Sequence, residues 1–376
     1  MMMRSNSWDV IIVGGGLAGL ASALHLSRSK LKLLLIEKEE YPHHKVCGEY
    51  VSNEILSYLN SLEIDPLENG AKRIDKFIIS NRAGDELKTE LPLGGFGISR
   101  YTLDHLMYKK LKERMNVFHD SVTSISYSND NFQVITNNKS CYTAKVVVGA
   151  FGKRSNLDKF MQREFIETPS PWLAVKSHYT YEFPDDTVAL HNFDGGYCGL
   201  SKTETNAVNA CYLTTYDSFK RFGNIPDFEN NVLTKNKHLD HFFSNSIPLF
   251  EKPLSISQVS FNQKQPIKDH VFMIGDSAGL IHPLCGNGMA MAIHSAKIFS
   301  EICINHFNSE KLNRSAMEEE YVNRWNATFS KRLKAGRVIQ NLLLRPMASS
   351  VGFSIAKMFP SIVPRVIKQT HGDPVL

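Results

Sequence analysis

The sequence predicts an α/β fold into which an α+β lobe with an antiparallel sheet is inserted, followed by a C-terminal helical segment. Three patterns in the 376 residues support this prediction. A short run of mainly β-branched residues, 9–13, precedes a glycine-rich loop and an apolar helical pattern. Between 172 and 261, apolar residues recur with a period of two, which is typical of an antiparallel sheet. From residue 271 the order of strand, glycine-rich loop and helix returns, so the outer parts form one α/β body.

The first glycine-rich loop has the spacing of a dinucleotide-binding turn. Gly14, Gly16 and Gly19 occupy the three glycine positions of G-x-G-x-x-G. The first glycine permits the tight turn, the second lets a pyrophosphate approach the backbone, and the third allows helix and strand to pack closely. Leu17 and Ala18 open the helix, whose unpaired N–H groups and positive dipole end attract phosphate. This stretch therefore predicts a Rossmann-type dinucleotide site.

An acidic residue at the end of the second strand narrows the choice of dinucleotide. The apolar run 31–36 ends in Glu37, which lies 18 residues after Gly19. A carboxylate at this position accepts hydrogen bonds from a ribose diol and repels a 2′-phosphate. The pattern favours FAD or NAD over NADP, and it does not choose between FAD and NAD.

The polar loop that begins at Lys38 contains a cysteine followed by a glycine, Cys47 and Gly48. A cysteine in such a loop can lie against a ligand, or it can be a small buried residue at a bend, and residue type alone leaves both interpretations open. The adjacent His43 and His44 suggest a metal. No further His, Cys or Asp at ligand spacing supports that idea, so we predict no metal site.

Arg100 stands at the start of a predicted helix that runs to about residue 114. A positive charge is poorly placed at the N-terminus of a helix, because the helix dipole is positive there. The arginine therefore has another purpose. A contact to a phosphate or ribose is one candidate, and a salt bridge on the surface is the other.

Two further loops follow predicted strands of the α/β body. Ala150 and Gly152 follow one strand, and Gly275 and Asp276 follow another. Open α/β sheets bind their ligands beyond the carboxyl ends of their strands, so both loops are expected at the ligand. Asp276 could accept hydrogen bonds from hydroxyl groups of a cofactor chain.

The loop after Asp276 opens a long predicted helix through Gly286, Asn287, Gly288 and Met289. Backbone N–H groups at such a helix start can stabilise negative charge on a bound ring. The sequence contains no second complete G-x-G-x-x-G unit with its flanking strands. Both glycine-rich regions are therefore assigned to a single cofactor.

The inserted lobe carries an unusual glycine cluster, 195–199, around Tyr197. Glycines inside a sheet indicate either a bend or the close approach of a ligand. Residues 73–98 also resemble strands, and we expect them to reach from the α/β body toward this lobe. The lobe is expected to form one wall of a substrate cavity.

Composition describes an ordinary globular protein, with 42% hydrophobic and 22% charged residues. The net charge of +5 gives no expectation of nucleic-acid binding, but residues 331–376 contain eight Lys/Arg and one acid. This basic, apolar tail could contact a membrane surface, cover an apolar channel, or form a packed helix pair. We expect a cytoplasmic protein, either free or peripheral to the inner face of the membrane. This expectation rests on six cysteines without a C-x-x-C pair, a polar start and the lack of a long apolar run in the sequence.

The three glycine- and arginine-containing segments together resemble the flavoprotein superfamily of aromatic hydroxylases, flavin-dependent halogenases and geranylgeranyl reductases. In that superfamily the first glycine loop holds the ADP part of FAD, and an R-x-x-L/F-D helix start contacts the cofactor. The second of these motifs is matched by Arg100, Leu103 and Asp104. The G-D-A-A-G-x-x-x-P-x-x-G-x-G motif, which places its Asp on the ribityl chain and its last turn beside the flavin ring, is matched by Gly275, Asp276, Gly279, Pro283, Gly286 and Gly288.

The resemblance implies FAD as the cofactor and a division of the chain into four parts. These are a first part of the FAD domain (1–171), a substrate lobe (172–261), a second part of the FAD domain (262–310) and a C-terminal helical region (311–376). The residues expected to bind FAD are Gly14, Gly16, Leu17, Ala18, Gly19, Glu37, Lys38, Cys47, Gly48, Arg100, Ala150, Gly152, Gly275, Asp276, Gly286, Asn287, Gly288 and Met289.

Within the superfamily, the K-x-C-G loop formed by Lys45, Cys47 and Gly48 is similar to that of the geranylgeranyl reductases, whose cysteine lies near the flavin. Two motifs depart from the family. The reductases' Y-x-W-x-F-P signature reads Tyr-Cys-Gly-Leu-Ser-Lys over residues 197–202. The hydroxylases' Asp-Gly motif has a phenylalanine, Phe151, in place of the aspartate.

The resemblance implies an FAD-dependent oxidoreductase that reduces carbon–carbon double bonds of an apolar, isoprenoid-like or lipid substrate. Cys47 and Tyr197 are the candidate catalytic residues, as proton donors or cavity lining. The electron donor is left open between NAD(P)H and a reduced carrier. Two alternatives are a monooxygenase that acts on an aromatic or polyketide-like molecule, and a flavin-stabilised binding protein without turnover.

Overall fold

Two β-sheets organise residues 7–376, the part of the chain that the computed structural model describes. The polar start noted in the sequence lies mainly in the first six residues, which are outside this range. The strands, numbered along the chain, are β1 (Ser7–Val13), β2 (Leu33–Glu37), β3 (Tyr50–Ser52), β4 (Lys72–Ser80), β5 (Glu86–Gly97), β6 (Val117–His119), β7 (Val122–Ser128), β8 (Asn131–Thr136), β9 (Cys141–Gly149), β10 (Trp172–Thr180), β11 (Thr187–Phe193), β12 (Gly196–Lys202), β13 (Val208–Thr215), β14 (Ile247–Pro248), β15 (Leu254–Ser257), β16 (Ile267–Lys268) and β17 (Val271–Met273).

Helices cover the sheets and form the C-terminal region. They are α1 (Leu17–Leu26), α2 (Leu56–Ser61), α3 (Arg100–Lys112), α4 (Asn156–Phe160), α5 (Tyr216–Phe219), α6 (Ile225–Asn231), α7 (Lys237–Asn245), α8 (Gly288–Phe307), α9 (Arg314–Leu344), α10 (Pro346–Met358) and α11 (Ile362–Thr370). Short 3-10 turns lie at Asn53–Ile55, Glu164–Ile166, Leu233–Lys235, Gly275–Ser277 and Pro283–Cys285.

The first sheet has the order β16-β17-β9-β1-β2-β6, and the hairpin of β7 and β8 is attached to β9. From β17 to β6 neighbouring strands are parallel. The central strands β1 and β2 read as continuous apolar runs because both faces of a parallel sheet are covered. Parallel strands end at the same edge, so Val13, Glu37, Gly149 and Met273 bring four loops together there.

The second sheet has nine strands in the order β14-β10-β13-β12-β11-β4-β5-β3, with β15 also paired to β10. Its pairs are antiparallel except that of β11 with β4. The strands expected within 73–98 join this sheet as β4 and β5. One face packs against α6 and α7 through Phe228, Leu239 and Phe242. The opposite face carries a separate apolar cluster that includes Leu190, Tyr197 and Leu213 and faces a cavity.

The predicted α/β class and the C-terminal helical segment are confirmed, with two corrections of detail. The alternation of residues 117–142 predicts one hairpin, but Val117–His119 pairs in parallel with β2 and completes the edge of the first sheet. The sequence also predicts one helical patch near 228–244 within the inserted lobe, but this patch is divided at Asn236, whose side chain caps α7 and donates a hydrogen bond to Ser80. The predicted domain boundaries stay predictions.

The C-terminal region consists of the long helix α9 and the shorter α10 and α11. Among residues 7–376, none of the helices combines the length and apolar composition that a bilayer crossing requires. All six cysteines are free thiols.

Candidate cofactor site and substrate cavity

A cavity of about 2200 Å³ opens at the edge where the parallel strands end and continues across the second sheet to the C-terminal helices. Ligand pockets usually measure about 300–1,000 Å³, so this one has room for a dinucleotide and a second molecule. All the predicted site residues line it except Gly19 and Asn287. Those that line it are Gly14, Gly16, Leu17, Ala18, Glu37, Lys38, Cys47, Gly48, Arg100, Ala150, Gly152, Tyr197, Gly275, Asp276, Gly286, Gly288 and Met289.

The first glycine loop has the geometry that its spacing predicts. Gly14 has φ +103°, and a Cβ added there would lie 2.4 Å from the carbonyl oxygen of Ala150. A Cβ on Gly19 would lie 1.9 Å from the Gly14 oxygen, so Gly19 packs α1 against the turn instead of facing the cavity. At Gly16 the nearest atom to an added Cβ is Arg100 Nη2, 3.9 Å away. One side of the loop therefore packs against backbone atoms at Gly14 and Gly19. The other side, at Gly16, is open toward the cavity.

Glu37 is buried at the end of β2 and accepts two backbone hydrogen bonds, from Gly15 N at 2.5 Å and Glu39 N at 3.0 Å. A carboxylate has about four lone-pair sites, so it can still accept from a ribose hydroxyl. Tyr41, which sequence reasoning missed, donates its hydroxyl to the Gly15 oxygen. Its ring stacks on Tyr108 with centroids 4.2 Å apart.

Arg100 belongs to a buried ion-pair network and not to a surface salt bridge. Its Nε and Nη2 donate to the two carboxylate oxygens of Asp104 at 2.6 and 2.7 Å. Lys45 Nζ donates to the same carboxylate at 2.8 Å, and Asp104 is buried. Asp104 therefore fixes the arginine, which lies beside Gly16, and also one end of the loop that carries Cys47.

The other two strand-end loops are packed against the first. A Cβ on Gly275, which has φ +60°, would lie 2.8 Å from the Ala18 Cβ. The backbone N–H of Gly152 donates to Ser277 Oγ at 2.9 Å, which ties the two loops together. Asp276 lies between these contacts and lines the cavity. Loops that are distant in the sequence thus meet at one surface.

The turn at the start of α8 presents Gly286, Gly288 and Met289 to the cavity. The N–H groups in the first turn of a helix have no partner within the helix and can meet a ligand. The amide Nδ2 of the Asn287 side chain donates to Glu54 Oε2 at 3.2 Å, and Asn287 does not line the cavity. The role expected of its backbone N–H stays a prediction.

Cys47 and Tyr197 both line the cavity, Cys47 half-buried and Tyr197 buried. Among the described residues Tyr197 Oη has no hydrogen-bond partner. Burial raises the pKa of Tyr197 above its ordinary value, so its phenol holds its proton at neutral pH. Burial also raises the pKa of the neighbouring Cys211 thiol to about 12. These groups can donate hydrogen bonds into the cavity.

A cluster of His44, Glu49 and His178 has metal-ligand residue types, with atoms within 4.8 Å of one another. The spacing in the sequence did not reveal it, because the second sheet supplies His178. The carboxylate of Glu49 already accepts from Lys176 Nζ at 2.5 Å, from Arg100 N at 2.8 Å and from His178 Nε2 at 2.6 Å. A buried ammonium on the carboxylate disfavours a cation. Within the cluster, Glu49 and His178 are joined by a hydrogen bond, and His44 contacts the His178 ring.

The far part of the cavity is apolar. It lies between the second sheet and the C-terminal helices, and polar side chains are sparse in its walls. Its lining includes Phe77, Ile79, Leu87, Leu91, Leu190, Leu213, Val338, Leu342, Phe353 and Val363. This space suits a long or bulky apolar molecule.

Comparisons with known proteins agree with this architecture. The family described as pyridine nucleotide-disulphide oxidoreductase matches residues 8–170. A digeranylgeranylglycerophospholipid reductase of Methanococcus vannielii is 25% identical over 352 residues, which cover 86% of this chain and 84% of that protein. The chain is therefore similar to FAD-dependent oxidoreductases, in its first 170 residues by the family model and over most of its length by this relative.

Two solved structures of flavoproteins share the fold. The flavin-dependent brominase Bmp2 has a TM-score of 0.78 at 16% identity, over 97% of this chain and 93% of that chain. The structure of pqsL from Pseudomonas aeruginosa, named as an FAD-dependent monooxygenase, has a TM-score of 0.70 at 15% identity, over 93% and 100%.

The geometry of the strand-end loops fits FAD. Gly16, Gly48 and Gly152 line the cavity, and an added Cβ at each would meet no atom within about 3.9 Å, so the backbone is accessible to a cofactor. Gly16 and Arg100 would hold the pyrophosphate, and Glu37 the adenosine ribose. Asp276 would face the ribityl chain. When bound, FAD would supply the redox chemistry at the end of the cavity near Cys47.

Several residues at the site were not predicted. Glu49, Lys176 and His178 are fully or nearly fully buried beside the Cys47 loop. Of these, Glu49 follows Gly48 directly. A charged residue next to a predicted ligand-binding loop could have marked it as a site residue. Lys176 sits in a strand whose residues 172–179 are buried, and an isolated lysine in such a run indicates a buried partner.

Proposed function

We propose that this flavoprotein reduces carbon–carbon double bonds of a long apolar, isoprenoid-like or lipid substrate. The observation that carries the proposal is the continuity of the cavity. It runs from the glycine loops past Cys47 and Tyr197 into an apolar chamber between the second sheet and the C-terminal helices. A substrate chain in that chamber would place one end beside the cofactor. The name of the reductase from Methanococcus vannielii supports the same reaction class.

The reduction needs a hydride and a proton. Bound FAD, once reduced by NAD(P)H or a reduced carrier, would supply the hydride to one carbon of the double bond. The other carbon must take a proton, and Tyr197 Oη and Cys47 Sγ are the candidate groups that hold one beside the cavity. The apolar walls exclude water, so a proton donor from the protein is needed.

Anaerobic reoxidation tests this proposal. The holoprotein is reduced with light, mixed with all-trans-geranylgeraniol or a simple enone, and followed by flavin absorbance. We expect the absorbance of oxidised FAD to return and the product to gain two hydrogens. Flavin that stays reduced with every alkene, and reoxidises only when oxygen is admitted, contradicts the proposal.

The two candidate donors can be separated by mutation. Tyr197→Phe removes only the hydroxyl, and Cys47→Ala only the thiol. The variant that lacks the donor should retain FAD and lose about 10²- to 10⁴-fold in the rate of anaerobic reoxidation, the usual contribution of a general acid. A variant with unchanged turnover and intact FAD returns that residue to a lining role.

A monooxygenase acting on an aromatic or polyketide-like molecule is the second candidate. The fold shared with pqsL and Bmp2 supports it. It predicts that substrate turnover requires oxygen. Comparison of aerobic and anaerobic stopped-flow traces with the same protein therefore distinguishes the two reactions.

We also propose that the C-terminal helices contact an anionic membrane surface. Met347 and Met358 on α10 are 79% and 72% exposed, and Phe359, directly after the helix, is 57% exposed, while Phe353 on α10 lines the cavity. A helix that is apolar on both faces and surrounded by basic residues is suited to a lipid surface. The protein should sediment with phosphatidylglycerol vesicles and not with phosphatidylcholine vesicles, and Met347→Ser/Met358→Ser should weaken this association. If the protein sediments with neither type of vesicle, this result contradicts membrane contact.

A further inference from the structure

The part of the loop around Cys47, residues 45–49, is held by hydrogen bonds to its backbone. Five consecutive carbonyl oxygens, those of residues 45–49, accept hydrogen bonds from groups outside the loop. The donors, in order, are Lys176 Nζ (3.2 Å), Lys153 Nζ (3.4 Å), Asn209 Nδ2 (3.2 Å), Ser201 Oγ (3.3 Å) and Ile98 N (3.1 Å). Three of these donors lie on strands of the second sheet. The conformation of the loop is therefore set by the substrate side of the cavity.

Glu49 closes this arrangement with its side chain. It has φ +55°, a left-handed conformation that is unfavourable for a residue with a Cβ. Its fully buried carboxylate accepts from Lys176, His178 and the first backbone N–H of α3. Burial opposes its ionisation, but the hydrogen bond from His178 and the charge of Lys176 outweigh burial, so the pKa of Glu49 lies below its ordinary value.

Stability alone does not explain a fully buried Lys–Glu pair. Replacement of such a pair by apolar residues is often neutral or stabilising, because the two charges lose their hydration. The pair instead fixes the position of the Cys47 loop. Lys176 Nζ contacts both the Glu49 carboxylate and the Lys45 oxygen, so one ammonium fixes the two ends of the loop on either side of Cys47.

The same loop is connected to the pyrophosphate side of the FAD site. Lys45 pairs with Asp104, and Asp104 holds Arg100. The backbone N–H of Arg100 donates to Glu49. A displacement of the loop would therefore disturb the arginine beside Gly16 as well as the thiol of Cys47.

We propose that Glu49 and Lys176 are positioning residues that orient the Cys47 loop against bound FAD. The proposal rests on the proposed function only in placing the reacting end of the cavity at Cys47. Neither residue is assigned a proton-transfer step, and they act through the loop backbone. The neighbouring donors Ser201 and Asn209 share this task.

The test uses the FAD-bound protein and two readouts that involve no substrate. One is the rate at which iodoacetamide alkylates Cys47, followed by peptide mass spectrometry, and the other is the visible circular dichroism of the flavin. The variant Glu49→Gln/Lys176→Met removes both charges and leaves no unpaired ion. We expect FAD to be retained, Cys47 alkylation to change by about tenfold or more, the size expected when hydrogen bonds to charged groups are lost, and the flavin signal to change shape.

A matched control is available in the buried pair of Arg163 and Asp158, 2.8 Å apart and 2% and 0% exposed. Asp158→Asn/Arg163→Met should lower stability by a comparable amount and leave both readouts unchanged. Ser201→Ala/Asn209→Ala provides a second test, because it removes two carbonyl donors and keeps the ion pair. It should change Cys47 alkylation in the same direction, by about threefold, since these are single neutral hydrogen bonds.

Alkylation rates and flavin signals within twofold of the wild type in both loop variants overturn the proposal. So does a change of equal size in the Arg163 control, because that result assigns the effect to general loosening. If the charge-removing variant does not fold, the Ser201/Asn209 variant decides alone. A failure of alkene reduction, by contrast, affects neither readout and speaks only against the proposed function.

Discussion

The edge of the first sheet and the cavity face of the second sheet contribute to one site by different means. At the edge, backbone atoms form the binding surface. A side chain at Gly14 or Gly19 would collide with backbone behind the loop, and only Gly16 is open toward the cavity. On the face, side chains form the surface. One half is polar and holds the Cys47 loop, whereas the other half is apolar and lines the chamber.

This difference explains why the cofactor is easier to identify than the reaction. A backbone site constrains residue type through sterics, and its loop is local in the sequence, so a fixed glycine spacing results. A side-chain site on a sheet face is assembled from β4 and from β10 to β13, so its residues come from strands spread between positions 72 and 215. Many combinations of residues can produce such a face, and no spacing records it.

Gly19→Ala should have the largest effect of the substitutions that probe this contrast. The new Cβ would lie 1.9 Å from the Gly14 oxygen, so α1 must move away from the turn. Overpacking against backbone is expected to cost more than about 3 kcal/mol in unfolding free energy. The protein should purify without FAD absorbance and with a lower midpoint of urea unfolding.

Gly352→Ala is the control for this substitution. An added Cβ there meets no atom within 4 Å, and the position lies inside α10, where alanine is favoured over glycine. FAD content should be unchanged in this variant. If the Gly19→Ala variant contains stoichiometric FAD, close packing of α1 against the glycine loop is not required for FAD binding.

The residues at the edge of the first sheet could be predicted from the sequence, whereas most of those on the cavity face of the second sheet could not. The glycine positions, Glu37, Asp276 and the α8 turn follow from local spacing, and the structure brings them to one cavity. The side-chain role of Asn287 was not predictable, because Glu54 and the C-terminal segment that it contacts are distant in sequence. For the same reason the alternation of residues 117–142 predicts a single hairpin, whereas Val117–His119 in fact extends the parallel sheet.

Glu54→Gln tests a side-chain cluster that joins the α8 turn to the C-terminus. Glu54 accepts from Arg332 at 2.6 Å, Asn287 at 3.2 Å and Gly372 N at 2.8 Å. Burial opposes its ionisation, but the hydrogen bond from His294 and the charge of Arg332 lower its pKa from 4.5 to about 2. This difference corresponds to about 3 kcal/mol of stability at neutral pH.

The sign of the pH dependence follows from the lowered pKa. The stabilisation by ionised Glu54 is fully present above about pH 4.5 and is lost as the pH falls toward 2. Urea unfolding at pH 7, 5 and 3 should therefore show a gap between wild type and Glu54→Gln that narrows at pH 3. Glu63→Gln, at an exposed carboxylate, should stay close to wild type throughout. A gap that is constant with pH would assign the effect to packing and not to charge.

Gly199 provides the counterpart of Gly19 on the second sheet, and its substitution should have the smallest effect. An added Cβ would lie 3.7 Å from the Cys211 oxygen, an ordinary contact, and the residue lines the cavity beside Tyr197. Gly199→Ala should therefore keep both FAD and affinity for an apolar probe, N-phenyl-1-naphthylamine. Gly199→Leu should keep FAD but weaken probe binding about tenfold, since a larger side chain overfills the chamber. Loss of FAD from Gly199→Leu, or unchanged probe binding, would mean that this face does not form the substrate wall. Retained FAD with weakened probe binding, set against the loss of FAD in Gly19→Ala, would separate a backbone-built cofactor edge from a side-chain-built substrate face.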